Sequence, residues 1–227
     1  MAQAFVSWSG GKDCCLAYYR TLRSGIKARF LLNMATEDGK RSRSHGLTTA
    51  LLDMQAQAVG ISLVQRQAAW SNYEAEFEKA LLAFREEGIT DGVFGDIDLD
   101  EHRQWVERVC RRCGITPHLP LWGNRQKDLM QEFIEAGFRA VVIVTRADIM
   151  NEEWLGREVD ANLMADLSQR RDITPCGEAG EYHTLVTNGP LFNRGLRIMQ
   201  SENVLRDKHW YLDIQKCEFT PKPGGNS

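Results

Sequence analysis

The amino-acid sequence predicts an α/β protein, an open parallel β-sheet covered by helices and joined to a smaller α+β unit. Three observations predict it. Short apolar runs alternate with segments of helical period over the first two thirds of the chain. The first run passes through a glycine turn directly into a helix. After Thr145 the alternation stops and a turn-rich stretch leads to strands of half-exposed pattern.

The elements follow in order. Ala4–Trp8 is the first strand, and Ser9-Gly10-Gly11-Lys12-Asp13 leads into a helix with Cys15, Tyr18, Tyr19 and Leu22 on one face, stopped by Ser24-Gly25. Ala28–Met34 reads as a buried second strand, which makes the connection a parallel crossover. Thr36–Ser44 carries Lys40, Arg41 and Arg43 without apolar period and reads as a loop over the carboxyl edge of the sheet. Leu47, Leu51, Met54 and Ala58 mark a helix ending at Gly60, and Ile61–Val64 a third strand. Tyr73, Phe77, Ala80, Leu81 and Phe84 mark another helix, Gly92–Gly95 a short fourth strand, and Trp105, Val106 and Val109 the buried face of the helix after it. His118–Trp122 reads as an extended link. A helix with Leu129, Met130, Phe133 and Ile134 then delivers the strongest strand, Ala140–Val144, which is expected to close a first domain over residues 1–145. A second domain over residues 146–219 holds a helix with Val159, Leu163 and Leu167 and strands at Leu196–Met199 and Trp210–Ile214. Residues 220–227, rich in Pro and Gly, read as a disordered tail.

With 227 residues the chain can bury a substantial core without disulfides or metals. A net charge of −3 gives no general attraction to nucleic acid or anionic membrane, so direct nucleic-acid binding is not expected. No apolar run reaches the length of a membrane span and no signal-peptide pattern precedes the first strand, so the expected location is the cytoplasm. The six cysteines are then thiols. Cys110 and Cys113 form a CxxC with no second pair, which points to helix packing and not to metal. Cys176 is the one thiol to test for reactivity.

Chemistry concentrates in three places. The two glycines of Ser9–Asp13 let the backbone approach a ligand, and the free N–H groups of the new helix favour an anion. Lys12 in the first turn opposes the helix dipole and is stabilised by a phosphate, while Asp13 can hold the Mg²⁺ of a polyphosphate. A Walker loop would need glycine where Val6 stands and Ser or Thr where Asp13 stands, and a dinucleotide fingerprint lacks its third glycine. Gly95 and Asp96 should emerge at the same sheet edge, Gly95 admitting a ribose or adenine and Asp96 accepting hydrogen bonds or binding magnesium. Finally, Cys176–Thr184 packs two glycines, Glu178, Glu181 and His183 into a non-periodic loop. The acids can bind a cation or an amine, and the histidine can transfer protons. An acidic turn with no ligand would read the same way.

The string SGGKD resembles the PP-loop of the ATP pyrophosphatases, with Cys14 in place of the family's final serine. Together with His45-Gly46, Met54–Ala58, Gly95-Asp96-Ile97, Pro120-Leu121-Trp122 and GEAGEYHT near residue 180, it makes the chain similar to the diphthine–ammonia ligase family over almost its whole length. The resemblance implies a Rossmann-like PP-loop domain of the adenine-nucleotide α-hydrolase type and a smaller carboxyl-terminal domain whose motif faces the nucleotide. It implies ATP and Mg²⁺ as cofactors, with Ser9, Gly10, Gly11, Lys12, Asp13, Gly95 and Asp96 on the nucleotide. Lys12, Glu178, Glu181 and His183 are then the reacting groups. The implied activity is adenylation of a carboxylate, followed by displacement of AMP by ammonia or an amine. The acceptor is diphthine on translation elongation factor 2, or a corrinoid carboxylate, since a GEYHT form is similar to a branch associated with cobalamin metabolism, where the ligase branch has Glu at His183. A homodimer is among the expected assemblies. Two other readings stand beside it: a nucleotide-binding module without turnover, and tRNA thiolation, which the negative net charge opposes.

Overall fold

The computed structural model describes residues 3–221. Strands β1 (Gln3–Ser7), β2 (Lys27–Ala35), β3 (Ser62–Gln67), β4 (Asp91–Val93) and β5 (Thr116–His118) form one sheet in the order β3-β2-β1-β4-β5, with every neighbouring pair parallel. Helices α1 (Lys12–Arg23) and α2 (Thr49–Val59) cover one face, and α3 (Tyr73–Glu86) and α4 (Asp100–Cys113) the other. Val6, Trp8 and Leu31 pack with Leu16, Leu51 and Leu52, whereas Phe5, Leu32 and Met34 pack with Phe77, Leu81, Phe84, Val106 and Val109. Successive strand residues enter different cores, so these strands read as continuous apolar runs.

A second, antiparallel sheet has the order β7-β6-β9-β8, built from β6 (Arg139–Arg146), β7 (Tyr182–Asn188), β8 (Gly195–Arg206) and β9 (His209–Thr220). The run Ala140–Val144, expected to close the first domain, lies in β6 and pairs with β7 and β9 of the antiparallel sheet. An apolar strand buried on both faces carries no mark of which sheet it joins. Conversely, Thr116–His118, of which His118 is expected to open an extended link and the other two residues carry no assignment, is a fifth parallel strand beside β4. Tyr182, His183 and Thr184 belong to β7 and not to a loop. Thr220 ends β9, so the expected tail begins no earlier than Pro221, and residues 222–227 lie outside the described residues.

The two sheets share a core. Phe133 of α5 (Gln126–Glu135), Leu163 of α6 (Ala161–Ser168), Val142 and Leu185 join the cluster that contains Val6 and Leu16. The Val186 N–H donates to the Gly10 carbonyl at 2.9 Å, which docks β7 directly on the glycine turn. Among the described residues no helix is long and apolar enough to cross a membrane.

Candidate functional site

The turn between β1 and α1 is held from behind. Gly10 has φ +83°, and a Cβ there would lie 2.8 Å from Gln55 Oε1 and from Leu52 Cδ2, so both conformation and space require glycine. Gln55, fully buried on α2, accepts from Trp8 Nε1 at 2.7 Å and donates to the carbonyls of Gly10 at 2.9 Å and Val186 at 2.7 Å. One amide thus ties β1, the turn and β7 together. Sequence reasoning quoted Gln55 only within a helical motif, yet an amide set among the apolar positions of α2 was an available signal.

Lys12 is buried. Its backbone N–H donates to Thr184 Oγ1 at 3.1 Å, and its ammonium donates to the Cys176 carbonyl, lies 2.8 Å from Asp13 Oδ2, and sits 5.3 Å from the centre of the Tyr182 ring. Burial works against this charge, but Asp13, with smaller help from Tyr182 and Cys176, overcomes it and holds the Lys12 pKa above its ordinary value. Burial raises the Asp13 carboxyl against the opposing pull of Lys12. Ser9 Oγ accepts from the Gly11 N–H at 3.3 Å and donates to Cys14 Sγ at 3.6 Å, so the thiol takes part in the turn where the family resemblance puts a hydroxyl.

A cavity of about 530 Å³ opens over this turn. Met34, Tyr73, Phe77, Phe94 and Trp105 line its apolar half, and Ser9, Lys12, Asp13, Asp96, Glu178, His45 and His183 its polar half. Arg43 also lines it and lies 4.7 Å from the Trp70 ring centre, whereas Arg41 is bound to Asp213 at 2.8 Å. Gly95 lines the cavity too, and a Cβ there would meet the Asp13 carbonyl carbon and Cys14 nitrogen at 2.9 Å. Its missing side chain therefore serves first the close approach of the β4 edge to α1.

The acidic members separate. Glu178 faces the cavity, and burial, then the Asp13 charge, push its carboxyl up to about 7 against the pull of Lys12, with Asp98 and Asp96 adding to the rise. Asp96 lies 3.4 Å from His102 Nδ1, and their hydrogen bond raises the histidine. Glu181, expected beside Glu178, is only 2% exposed and does not line the cavity. Its carboxylate accepts from the Thr174 N–H at 2.6 Å and the Thr174 hydroxyl at 3.1 Å. Thr174 Oγ1 in turn accepts from the Glu178 N–H at 2.8 Å. Glu181 fixes the turn that presents Glu178.

His183 lies against a residue that sequence reasoning did not assign to the site: the rings of His45 and His183 are 4.5 Å apart at 42°. Burial, then Lys12, push His183 down to about 4, and burial, then His183, hold His45 well below its ordinary value, so both are neutral at pH 7. Cys176, 2% exposed, donates its thiol to the Gln126 carbonyl at 3.3 Å, and burial pushes it up to about 12. That is an inert thiol. Cys110 and Cys113 are buried on α4, and among the described residues no group of three or more His, Cys, Asp or Glu side chains is arranged to hold a metal ion.

Two family models match this chain, the diphthamide synthase N-terminal domain over residues 2–117 and the diphthamide synthase C-terminal domain over residues 125–219. Diphthine–ammonia ligase of Rattus norvegicus is 28% identical over 232 residues, covering 91% of this chain and 86% of the relative. The same-named protein of Danio rerio is 28% identical over 235 residues, covering 93% and 92%, and that of Homo sapiens is 25% identical over 235 residues, covering 93% and 88%. A solved structure described as a predicted subunit of tRNA methyltransferase from Methanocaldococcus jannaschii aligns with a TM-score of 0.47 and 15% identity over 83% of this chain and 98% of that one. The first family match contains the glycine turn, Gly95 and Asp96, the second contains Glu178, Glu181 and His183, and on these two matches the chain belongs to the diphthamide synthase family.

Proposed function

We propose that this chain is an ATP-dependent ligase that forms a carbon–nitrogen bond, making an amide from a carboxylate and ammonia. The single observation that carries the reading is one cavity joining the buried Lys12 ammonium, at the N-terminus of α1, to the Glu178 carboxyl poised at about 7. The relatives named diphthine–ammonia ligase favour diphthine, carried on translation elongation factor 2, as the carboxylate.

In this reading the apolar half of the cavity takes the adenine base and the turn Ser9–Asp13 takes the phosphates. A carboxylate oxygen of the acceptor attacks the α-phosphorus, the bond to the β-phosphate oxygen breaks, and pyrophosphate leaves an acyl-adenylate. Ammonia then attacks the acyl carbon and AMP departs. The chain contributes position and charge: Lys12 and the positive end of the α1 dipole stabilise the negative charge that builds on the phosphates. Glu178, near its midpoint at neutral pH, takes the proton that ammonia sheds as it attacks. Glu181 keeps the Glu178 turn in place.

Magnesium fits these residues. Mg²⁺ uses one or two protein carboxylates and takes its other ligands from phosphate and water, and Asp13 is a half-buried carboxyl lining the cavity that the nearby Asp96 charge raises further. Asp13 and Asp96 would hold the ion, which supplies neutralisation of phosphate charge.

Incubation with ATP, ammonium and elongation factor 2 bearing diphthine should yield AMP, pyrophosphate and the amide in equal amounts, as read by phosphorus NMR and mass spectrometry. ADP and orthophosphate as products would overturn the reading.

A further inference from the structure

We propose that His45 and His183 together seat the two phosphates beyond the α-phosphate, those that depart as pyrophosphate. The proposal rests on the reading of the cavity as a nucleoside-triphosphate site and adds the direction in which the phosphate chain runs.

The first argument is place. Both imidazoles line the cavity, and His45 comes in against the N-cap of α1, where a Cβ on Gly11 would stand 2.6 Å from His45 Nε2. Gly11 is therefore glycine in order to admit an imidazole to the turn, although its own backbone is extended and needs no glycine. An imidazole held there lies beside the positive end of the helix dipole, which attracts negative charge.

The second argument is how charge is divided. The carboxyl groups lining the cavity are Asp13, Asp96 and Glu178, and they act on one another across the Lys12 side chain. The groups acting on the imidazoles are different: Lys12 from α1, and His209 from β9. The carboxylate behind them, Asp213, is bound to Arg41 at 2.8 Å and faces Arg206 at 3.6 Å. A polyphosphate extending from Lys12 thus meets repulsion from the carboxyl groups and none from the imidazoles.

The third argument is an unpaired hydrogen-bonding group. His45 Nδ1 is buried and has no partner among the described residues. A neutral imidazole always offers one N–H and one lone pair, and a buried one left unpaired is costly, so a ring movement that pairs it when a ligand enters is favoured. Two neutral rings 4.5 Å apart can also accept one proton between them when an anion arrives, the second ring remaining neutral because the first is charged.

Calorimetry with AMP and with α,β-methylene-ATP separates the phosphate seat from the rest of the nucleotide site. His45→Gln and His183→Asn should each leave AMP affinity within about twofold and weaken the methylene analogue about tenfold or more, the scale of a lost hydrogen bond to a charged group. Equal losses for the two ligands, or an unchanged analogue, would overturn the proposal. Carbon-13 NMR of the unmodified protein provides a second test that needs no variant to fold: the His45 and His183 imidazole resonances should move on adding the analogue and stay in place on adding AMP. Resonances that ignore the analogue while it binds overturn the phosphate seat alone. An analogue that does not bind at all overturns the nucleotide reading from which the seat was inferred.

Discussion

Glu178 and the His45–His183 pair line the same cavity and share Lys12 as a charged neighbour, and desolvation neutralises them from opposite directions. The carboxyl is raised to about 7, while His183 falls to about 4. Burial disfavours whichever form is charged, so it holds the proton on an acid and removes it from an imidazole. At neutral pH the two flanks therefore differ in function more than in charge. The carboxyl flank is half-ionised and ready to take a proton from an amine. The imidazole flank is uncharged and open to an anion. Lys12, fully charged, is the neighbour they share. In the proposed reaction this polarity gives pyrophosphate and ammonia separate sides of the reacting phosphorus.

Removal of the shared neighbour should have the largest effect. Lys12→Ala takes away the ammonium and leaves both the Asp13 carboxyl and the Cys176 carbonyl without their donor. ATP affinity, measured by calorimetry, should fall by about 1.5–3 kcal/mol, the worth of a hydrogen bond to a charged group. The amidation rate should fall further, by about 10²–10³-fold, because the charge matters most when negative charge builds in the transition state. Unchanged ATP affinity would mean that the two flanks do not meet at Lys12.

The comparison sharpens at Glu178. Glu178→Gln should keep ATP affinity and lower amidation by about 10²-fold, the low end of what a positioned base contributes. In the unmodified protein the rate should rise with pH through about 7 and then level, while the variant's profile stays flat there. Stability gives an independent reading with a definite sign. The folded pKa of about 7 exceeds the ordinary 4.5, so folding binds a proton between these values and the carboxyl costs stability progressively as pH rises from about 4.5 to 7. Glu178→Gln should therefore raise Tm at pH 8 and leave it unchanged at pH 4. A rise in Tm of the same size at both pH values would show that the carboxyl is not held protonated by burial.

Legibility in the sequence followed the range of the contacts involved. Ser9–Asp13 is legible as a glycine turn from strand to helix because it lies in five consecutive residues between an apolar run and a helical period. β1 to β4 and all six α-helices were recognisable from period and glycine stops. β5 is hidden by its three-residue length and Pro117, and β6, expected at the end of the first domain, belongs to the second sheet because an apolar strand buried on both faces does not show which sheet it joins. In the site, Glu178 and Glu181 are equivalent as a sequence pattern, and only the capture of Glu181 by Thr174 separates them. His45 and Gln55 lie more than thirty residues from the turn they contact, so no local spacing could associate them with it.

The smallest effect is expected at Cys176, and its smallness tests the same division. The residue stands at the centre of the carboxyl flank by contact: its carbonyl receives the Lys12 ammonium and its N–H donates to Gln126 Oε1 at 2.9 Å. Both are backbone groups and survive substitution. The side chain contributes a buried thiol donating to the Gln126 carbonyl at 3.3 Å, and burial pushes its pKa up to about 12, so it stays protonated at pH 7. Cys176→Ala should accordingly cost about 1 kcal/mol of stability or less and leave ATP affinity and amidation within about twofold. The native thiol should resist a maleimide under conditions that label a free cysteine. If instead the variant lost amidation while keeping ATP affinity, a sulfur would have to act on the acceptor side, and the assignment of that flank to proton transfer by Glu178 would give way to thiol chemistry.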